Sequence, residues 1–188
     1  VRDLGNRVEV LILGGAISAG KTTVAERLER PPFCATRLSA RECLQRRLGM
    51  PNASRAELQS AGQEIEERTG GTWLADYLSE AAVTPGRYVV DAVRTVGQAQ
   101  AILESFPYSR LVFLGAPEAV RVARHNDPAT TDPLKQSSDL RGAFDHPIER
   151  RVSELIPLAA RVIDTSLIGV EETVAEVAAI AGWGSSTR

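Results

Sequence analysis

Cysteine and histidine are scarce in this chain, with two of each among 188 residues. Cys34 and Cys43 make neither a disulfide framework nor a metal-binding spacing, and His125 and His146 lie too far apart for a local zinc motif. A reducing compartment is the expectation. Long apolar runs are missing too: none approaches the roughly 20 residues that span a bilayer. The first residues carry no secretory-type apolar segment. A cytoplasmic protein with no membrane association is therefore expected. A basic excess is also lacking. The 22 Lys and Arg against 24 Asp and Glu give a net charge of -2. That argues against general nucleic-acid binding but leaves room for local basic spots. No Ser–His–Asp or Cys–His arrangement stands out as a nucleophile, and no internal repeat is evident.

What is present is an ordinary globular composition, 43% hydrophobic and 24% charged, able to close a core without staples. The length predicts one domain over residues 1–182 and a flexible tail over 183–188. Monomer and homodimer both fit. Strands are predicted near residues 8–13, 33–38, 88–91, 111–114 and 161–164, rich in Val, Leu and Ile. Helical segments alternate with them. They run over about 21–29, from Ser39 to Gly49, and from Ser54 to Arg68, with the last two opened by Ser-x-x-Glu capping boxes. Others are predicted at 72–83, 97–106, 118–124, 147–159 and 170–181. This alternation predicts an α/β fold: a five-stranded parallel sheet between two helical layers. Two segments interrupt the rhythm, a helical insertion over about 39–83 and a polar, turn-rich stretch over about 124–146. Both are expected on the side of the strand carboxyl ends, where open α/β sheets bind ligands.

Directly behind the first strand stands Gly15-Ala-Ile-Ser-Ala-Gly20-Lys21-Thr22, the full phosphate-binding P-loop pattern in its proper strand-to-helix setting. Gly15 and Gly20 allow the tight turn. The backbone N–H groups of Gly15, Ala16, Ser18, Ala19 and Gly20 are candidates to line a hollow for a phosphate chain. Lys21 is expected to reach the β- and γ-phosphates, Thr22 to hold Mg²⁺, and Thr23 to stand near the α-phosphate. ATP and Mg²⁺ are the predicted donor and cofactor. Asp91 closes a strand beside this loop, placed either to hold Mg²⁺ with Thr22 or to orient an incoming hydroxyl. Arg94, three residues on, offers a guanidinium fork to an anionic acceptor. The insertion carries Arg37, Arg41, Arg46, Arg47 and Arg55. Arg41 and Arg55 begin helices and are the anion-binding candidates, and Gln59 shares the face of Arg55. Arg121 and Arg124, three apart before the polar stretch, suit a lid that closes over transferring phosphates.

The layout resembles the P-loop nucleoside monophosphate kinase superfamily. Within it, the chain resembles the adenylate-kinase-like group with dephospho-coenzyme A kinase-like and phage deoxynucleoside monophosphate kinase-like proteins. The resemblance covers nearly the whole chain. It rests on Gly15–Thr22, on Arg55-Ala-Glu-Leu58-Gln59-Ser-Ala-Gly62, and on Asp91-Ala-Val-Arg94, in which Ala92 replaces the usual glycine of Asp-Gly-x-Arg. It implies a P-loop NTPase fold with an acceptor-binding insertion and a lid. It also implies transfer of the ATP γ-phosphoryl group to a phosphate or hydroxyl of a small nucleotide, with Lys21, Asp91, Arg94, Arg121 and Arg124 as the candidate catalytic set. Phosphorylation of the hydroxyl of dephospho-coenzyme A or another metabolite is the alternative activity. An ATP-binding switch or assembly protein with weak ATPase activity is the alternative that is not a metabolic enzyme.

Overall fold

The computed structural model describes residues 7–49, 51–127 and 147–184. In chain order these hold β1 (Val8–Gly14), α1 (Lys21–Leu28), β2 (Thr36–Ser39), α2 (Ala40–Leu48), α3 (Arg55–Thr69) and α4 (Thr72–Ala81). Then come β3 (Gly86–Val93), α5 (Val96–Ser105), β4 (Ser109–Gly115) and α6 (Glu118–His125). Last are α7 (Pro147–Arg151), a 3-10 segment (Val152–Leu158), β5 (Arg161–Asp164) and α8 (Val170–Ile180). The five strands pair in parallel in the order β2-β3-β1-β4-β5. Parallel pairing needs a crossover between strands, and helices supply it on both faces.

The most apolar strand, β1, is central, and its side chains alternate between two cores. Val10 and Ile12 join Tyr88, Val90, Leu111 and Phe113 under α2, α4 and α5. Leu11 and Leu13 join Val89, Val112, Leu114 and Ile163 under α1 and α8. The result is the three-layer α/β/α arrangement expected from the strand and helix alternation. Among the described residues no helix is long and apolar enough to cross a membrane.

Four local expectations change. The second strand begins at Thr36, not Phe33, because the chain is still turning. Cys34 sits at φ 50°, and the N–H groups of Phe33 and Cys34 both donate to the Arg30 carbonyl. Ser39 begins α2 but makes no side-chain cap; it is the last residue of β2, paired opposite Asp91, so the sheet sets its backbone. The capping box at Ser54 and Glu57 is formed. The helix predicted over 147–159 stops at Arg151 and continues as the 3-10 segment, which contains Pro157, a residue with no N–H for a ladder. Trp183, expected in the tail, is 2% exposed and packs in the α8 core.

Cys43 lies in the core under α2, and burial pushes its thiol up to about 12, while Cys34 is exposed. A thiol-disulfide reagent at pH 8 is therefore expected to label one cysteine in the folded protein and both in denaturant. Rapid labelling of two in the native state would show that this core is open.

Candidate functional site

The strand-to-helix turn after β1 is built by glycine. Gly15 has φ 137°, and a Cβ there would lie 2.1 Å from the Leu114 carbonyl oxygen. Gly20, at φ 95°, is the cap from which α1 starts. Ser18 also takes a positive φ, 60°, and its hydroxyl lies 3.5 Å from Nδ1 of the buried His125 on α6. Lys21 folds back over the turn, and its ammonium donates at 2.6 Å to the carbonyls of both Gly15 and Ala16. The cation thus stands over the loop. Thr22 and Thr23 are exposed in the first turn of α1, and Ala16 and Ala19 complete the loop.

Beside this turn β3 is irregular. Ile12 pairs with Val90 and Gly14 with Val93, so Asp91 and Ala92 together oppose Leu13 in a β-bulge. Ala92 sits at φ 62°, the left-handed region that glycine adopts without cost. The glycine missing from the Asp-x-x-Arg stretch therefore leaves the conformation in place with a strained alanine in it. Ala92→Gly is expected to stabilise the protein by about 1 kcal/mol, offset in part by lost packing, and to raise the melting temperature by roughly 2–4 °C. A drop in melting temperature would show that the Cβ contacts outweigh the strain.

The bulge carries Asp91, a side chain 3% exposed. Its Oδ2 accepts from Arg37 Nε at 3.0 Å and Nη2 at 2.9 Å. Its Oδ1 is buried with no hydrogen-bond partner among the described residues. Burial by itself would lower the Arg37 guanidinium, but the adjoining Asp91 carboxylate, with Glu42 and Glu29 adding to it, raises Arg37 above its ordinary value. Sequence reasoning counted Arg37 among the insertion arginines. The missing signal was register: β2 pairs directly with β3, which brings Arg37 within reach of Asp91.

Arg94 leaves the end of β3 and forms an ion pair with Glu149 of α7. The other oxygen of Glu149 accepts from the Ile17 N–H of the glycine turn at 3.0 Å, and the Glu149 side chain is 5% exposed. Sequence reasoning missed Glu149 altogether. The turn behind Arg94 is held from the other side. The Arg94 N–H donates to Gln98 Oε1, and Thr95 caps α5. Glu66 of α3 accepts from Thr95 Oγ1, Gln98 Nε2 and Trp73 Nε1. One carboxylate so ties α3, α4 and α5 together beneath Arg94.

On the far side of the glycine turn, Arg124 donates to Thr165 through Nη1 at 2.8 Å to Oγ1 and Nη2 at 2.7 Å to the carbonyl. The Thr165 hydroxyl in turn bonds the Ala19 and Gly115 carbonyls. Arg124, Gly20, Thr23, Val24, Ile168 and Val170 are among the residues around a cavity of about 350 Å³ between the start of α1 and the loop after β5. Arg121 donates to the Ala116 carbonyl. Arg124 therefore borders the cavity, whereas the Arg121 side chain turns back to the chain entering its own helix.

Arg41 is exposed in the first turn of α2. Arg55 and Gln59 belong to α3, but their side chains lie outside the described part, as do residues 128–146, which make up most of the predicted lid. The described site thus gathers Lys21, Asp91, Arg94 and Arg124 around one turn, with Arg37 and Glu149 as unforeseen members. Among the described residues no cluster of three or more His, Cys, Asp or Glu could hold a metal by itself.

No protein-family model matches the chain, and no curated protein matches it. Solved structures do. The chain is similar to shikimate kinase from Bacteroides thetaiotaomicron, at 14% identity and a TM-score of 0.58, over 93% of this chain and 98% of that one. It is similar to shikimate kinase from Acinetobacter baumannii in complex with shikimate, at 18% identity and a TM-score of 0.56, over 96% of each chain. It is also similar to a gluconokinase from Sinorhizobium meliloti, at 16% identity and a TM-score of 0.51, over 93% of this chain and 91% of that one.

Proposed function

Starting from the P-loop kinase fold that this chain has, we propose that it is an ATP-dependent phosphotransferase acting on a small metabolite. The observation that carries the reading is the complete glycine turn with Lys21 folded onto it, beside a cavity at the start of α1. The donor phosphates lie along the turn, where backbone N–H groups and the start of α1 favour anions. The base enters the cavity beside Arg124 and Thr165.

The residues fit Mg²⁺, which prefers hard oxygen donors. Thr22 offers a hydroxyl, and Asp91 offers the buried oxygen that Arg37 leaves open. When bound, the ion neutralises charge on the phosphate oxygens. Lys21 holds the terminal phosphates in line, so the chain contributes chiefly alignment and fixed positive charge. Arg121 and Arg124 belong to the donor side, and Arg94, Arg41, Arg55 and Gln59 to the acceptor side. The Arg55-to-Gly62 and Asp91-to-Arg94 stretches support one reading of the acceptor, a (deoxy)nucleoside monophosphate. The similarity to shikimate kinase in complex with shikimate, a compound that carries hydroxyl groups, supports a hydroxyl acceptor instead.

The test is acceptor-dependent ADP formation from Mg-ATP. The acceptors are ribo- and deoxynucleoside monophosphates, dephospho-coenzyme A, nucleosides, shikimate and gluconate. A large increase with one acceptor, lost in Lys21→Ala, is the expected result. A slow ATPase rate that no small acceptor changes would favour an ATP-dependent switch.

A further inference from the structure

We infer that Glu149 sets acceptor selectivity: it occupies Arg94 and so excludes phosphate dianions in favour of an uncharged alcohol. The inference rests on the phosphotransferase reading above and narrows it to a substrate class. Arg94 is the acceptor-side cation at the end of β3. Its guanidinium is engaged by a carboxylate 5% exposed, and the second oxygen of that carboxylate is fixed by the Ile17 N–H. Glu149 is therefore held at both oxygens and is not a passing surface partner. Arg37 is committed in the same way to Asp91. The two ion pairs on this side of the glycine turn cancel in charge.

A phosphate dianion approaching Arg94 has to displace Glu149 and leave it buried beside a like charge, a costly exchange. An alcohol asks for no such exchange. In the transfer its oxygen bonds to the γ-phosphorus as the bond from that phosphorus to the β–γ bridging oxygen breaks. ADP departs with the electron pair, and the hydroxyl proton is lost to solvent as the new P–O bond forms. Glu149 acts through Arg94 and is a positioning and selectivity residue.

The experiment uses the full chain with a non-hydrolysable ATP analogue at saturation, so that the glycine turn itself is filled. Calorimetry then measures binding of nucleoside monophosphates and of inorganic phosphate to the acceptor side. Glu149→Gln keeps the shape and one hydrogen bond but removes the charge. It is expected to bind monophosphates at least ~10-fold more tightly than the wild type, a gain erased by adding Arg94→Gln. In turnover assays the wild type is expected to phosphorylate uncharged alcohols and not monophosphates.

Unchanged or weaker monophosphate binding in Glu149→Gln would overturn the inference, as would efficient transfer to a monophosphate by the wild type. If Glu149→Gln does not fold, Arg94→Gln decides. With Arg94 already occupied, wild-type monophosphate binding changes less than ~2-fold, whereas a ~10-fold loss shows that Arg94 is free to clamp phosphate. Loss of the phosphotransferase reading has a different signature: Lys21-dependent ATP hydrolysis that neither an alcohol nor a monophosphate changes, or no Lys21-dependent binding of the ATP analogue at all.

Discussion

Lys21→Ala is expected to lower acceptor-dependent ADP formation by about 10³-fold, or about 4 kcal/mol of transition-state stabilisation, with the fold unchanged. The ammonium is anchored over the loop by two carbonyls at 2.6 Å, so its charge is in place before any phosphate arrives. Negative charge shifts onto the leaving β–γ oxygen during transfer, and a cation fixed beside it needs no reorganisation at that moment. The side chain contributes little to the core, so the melting temperature is expected to stay within about 2 °C. Lys21→Arg is expected to rescue poorly, because a planar fork does not fit a seat shaped for a compact ammonium. Single-turnover kinetics on both variants provide the check. A loss below tenfold in Lys21→Ala would mean that the lysine is a bystander.

Gly15→Ala carries the largest expected effect on stability. The added Cβ meets the Leu114 carbonyl oxygen at 2.1 Å, and φ 137° is hostile to any L side chain. The adjoining Gly14 pairs with Phe113, so the backbone cannot retreat without opening the β1–β4 ladder at the sheet centre. A loss above about 4 kcal/mol follows, a large part of the stability of an ordinary domain. Gly20→Ala is the control. It has φ 95° but nothing within 4 Å of the added atom, so only the backbone strain of about 1–2 kcal/mol applies. Urea denaturation should rank the wild type above Gly20→Ala, and Gly20→Ala well above Gly15→Ala. Equal losses in the two variants would mean that conformation, not collision, governs both sites.

Much of this fold was legible because its determinants are local. Glycine spacing behind an apolar run marks the P-loop, and alternation of strands and helices marks the layered sheet. Apolar content misled at Phe33–Ala35, where hydrogen bonds to Arg30 and Leu28 keep the chain in a turn. The candidate site divides in the same way. The positions of Lys21 and Arg94 follow from the strands they come after; Asp91, expected to close its strand, lies inside β3, which runs on to Val93. Glu149 was not readable, since it meets Ile17 across 132 positions and Arg94 across 55. No spacing rule spans such separations; only the packing of α7 against the turn creates that contact. Arg37 lies between these cases, because strand order alone would have brought it to Asp91.

The Glu66 knot has a mechanical consequence. Within the insertion, α2 and α4 are rooted in the core through Cys43, Leu44, Trp73, Leu74 and Leu78, whereas α3 contributes Leu58 and Ile65. Its C-terminal half is fastened by Glu66 to Trp73, Thr95 and Gln98. The core thus grips α3 at Leu58 and Ile65, while the polar clamp acts on its C-terminal half alone, so the two halves are held unequally. Amide exchange is expected to be faster over residues 55–60 than over 63–68, with the gradient flattened in Glu66→Ala.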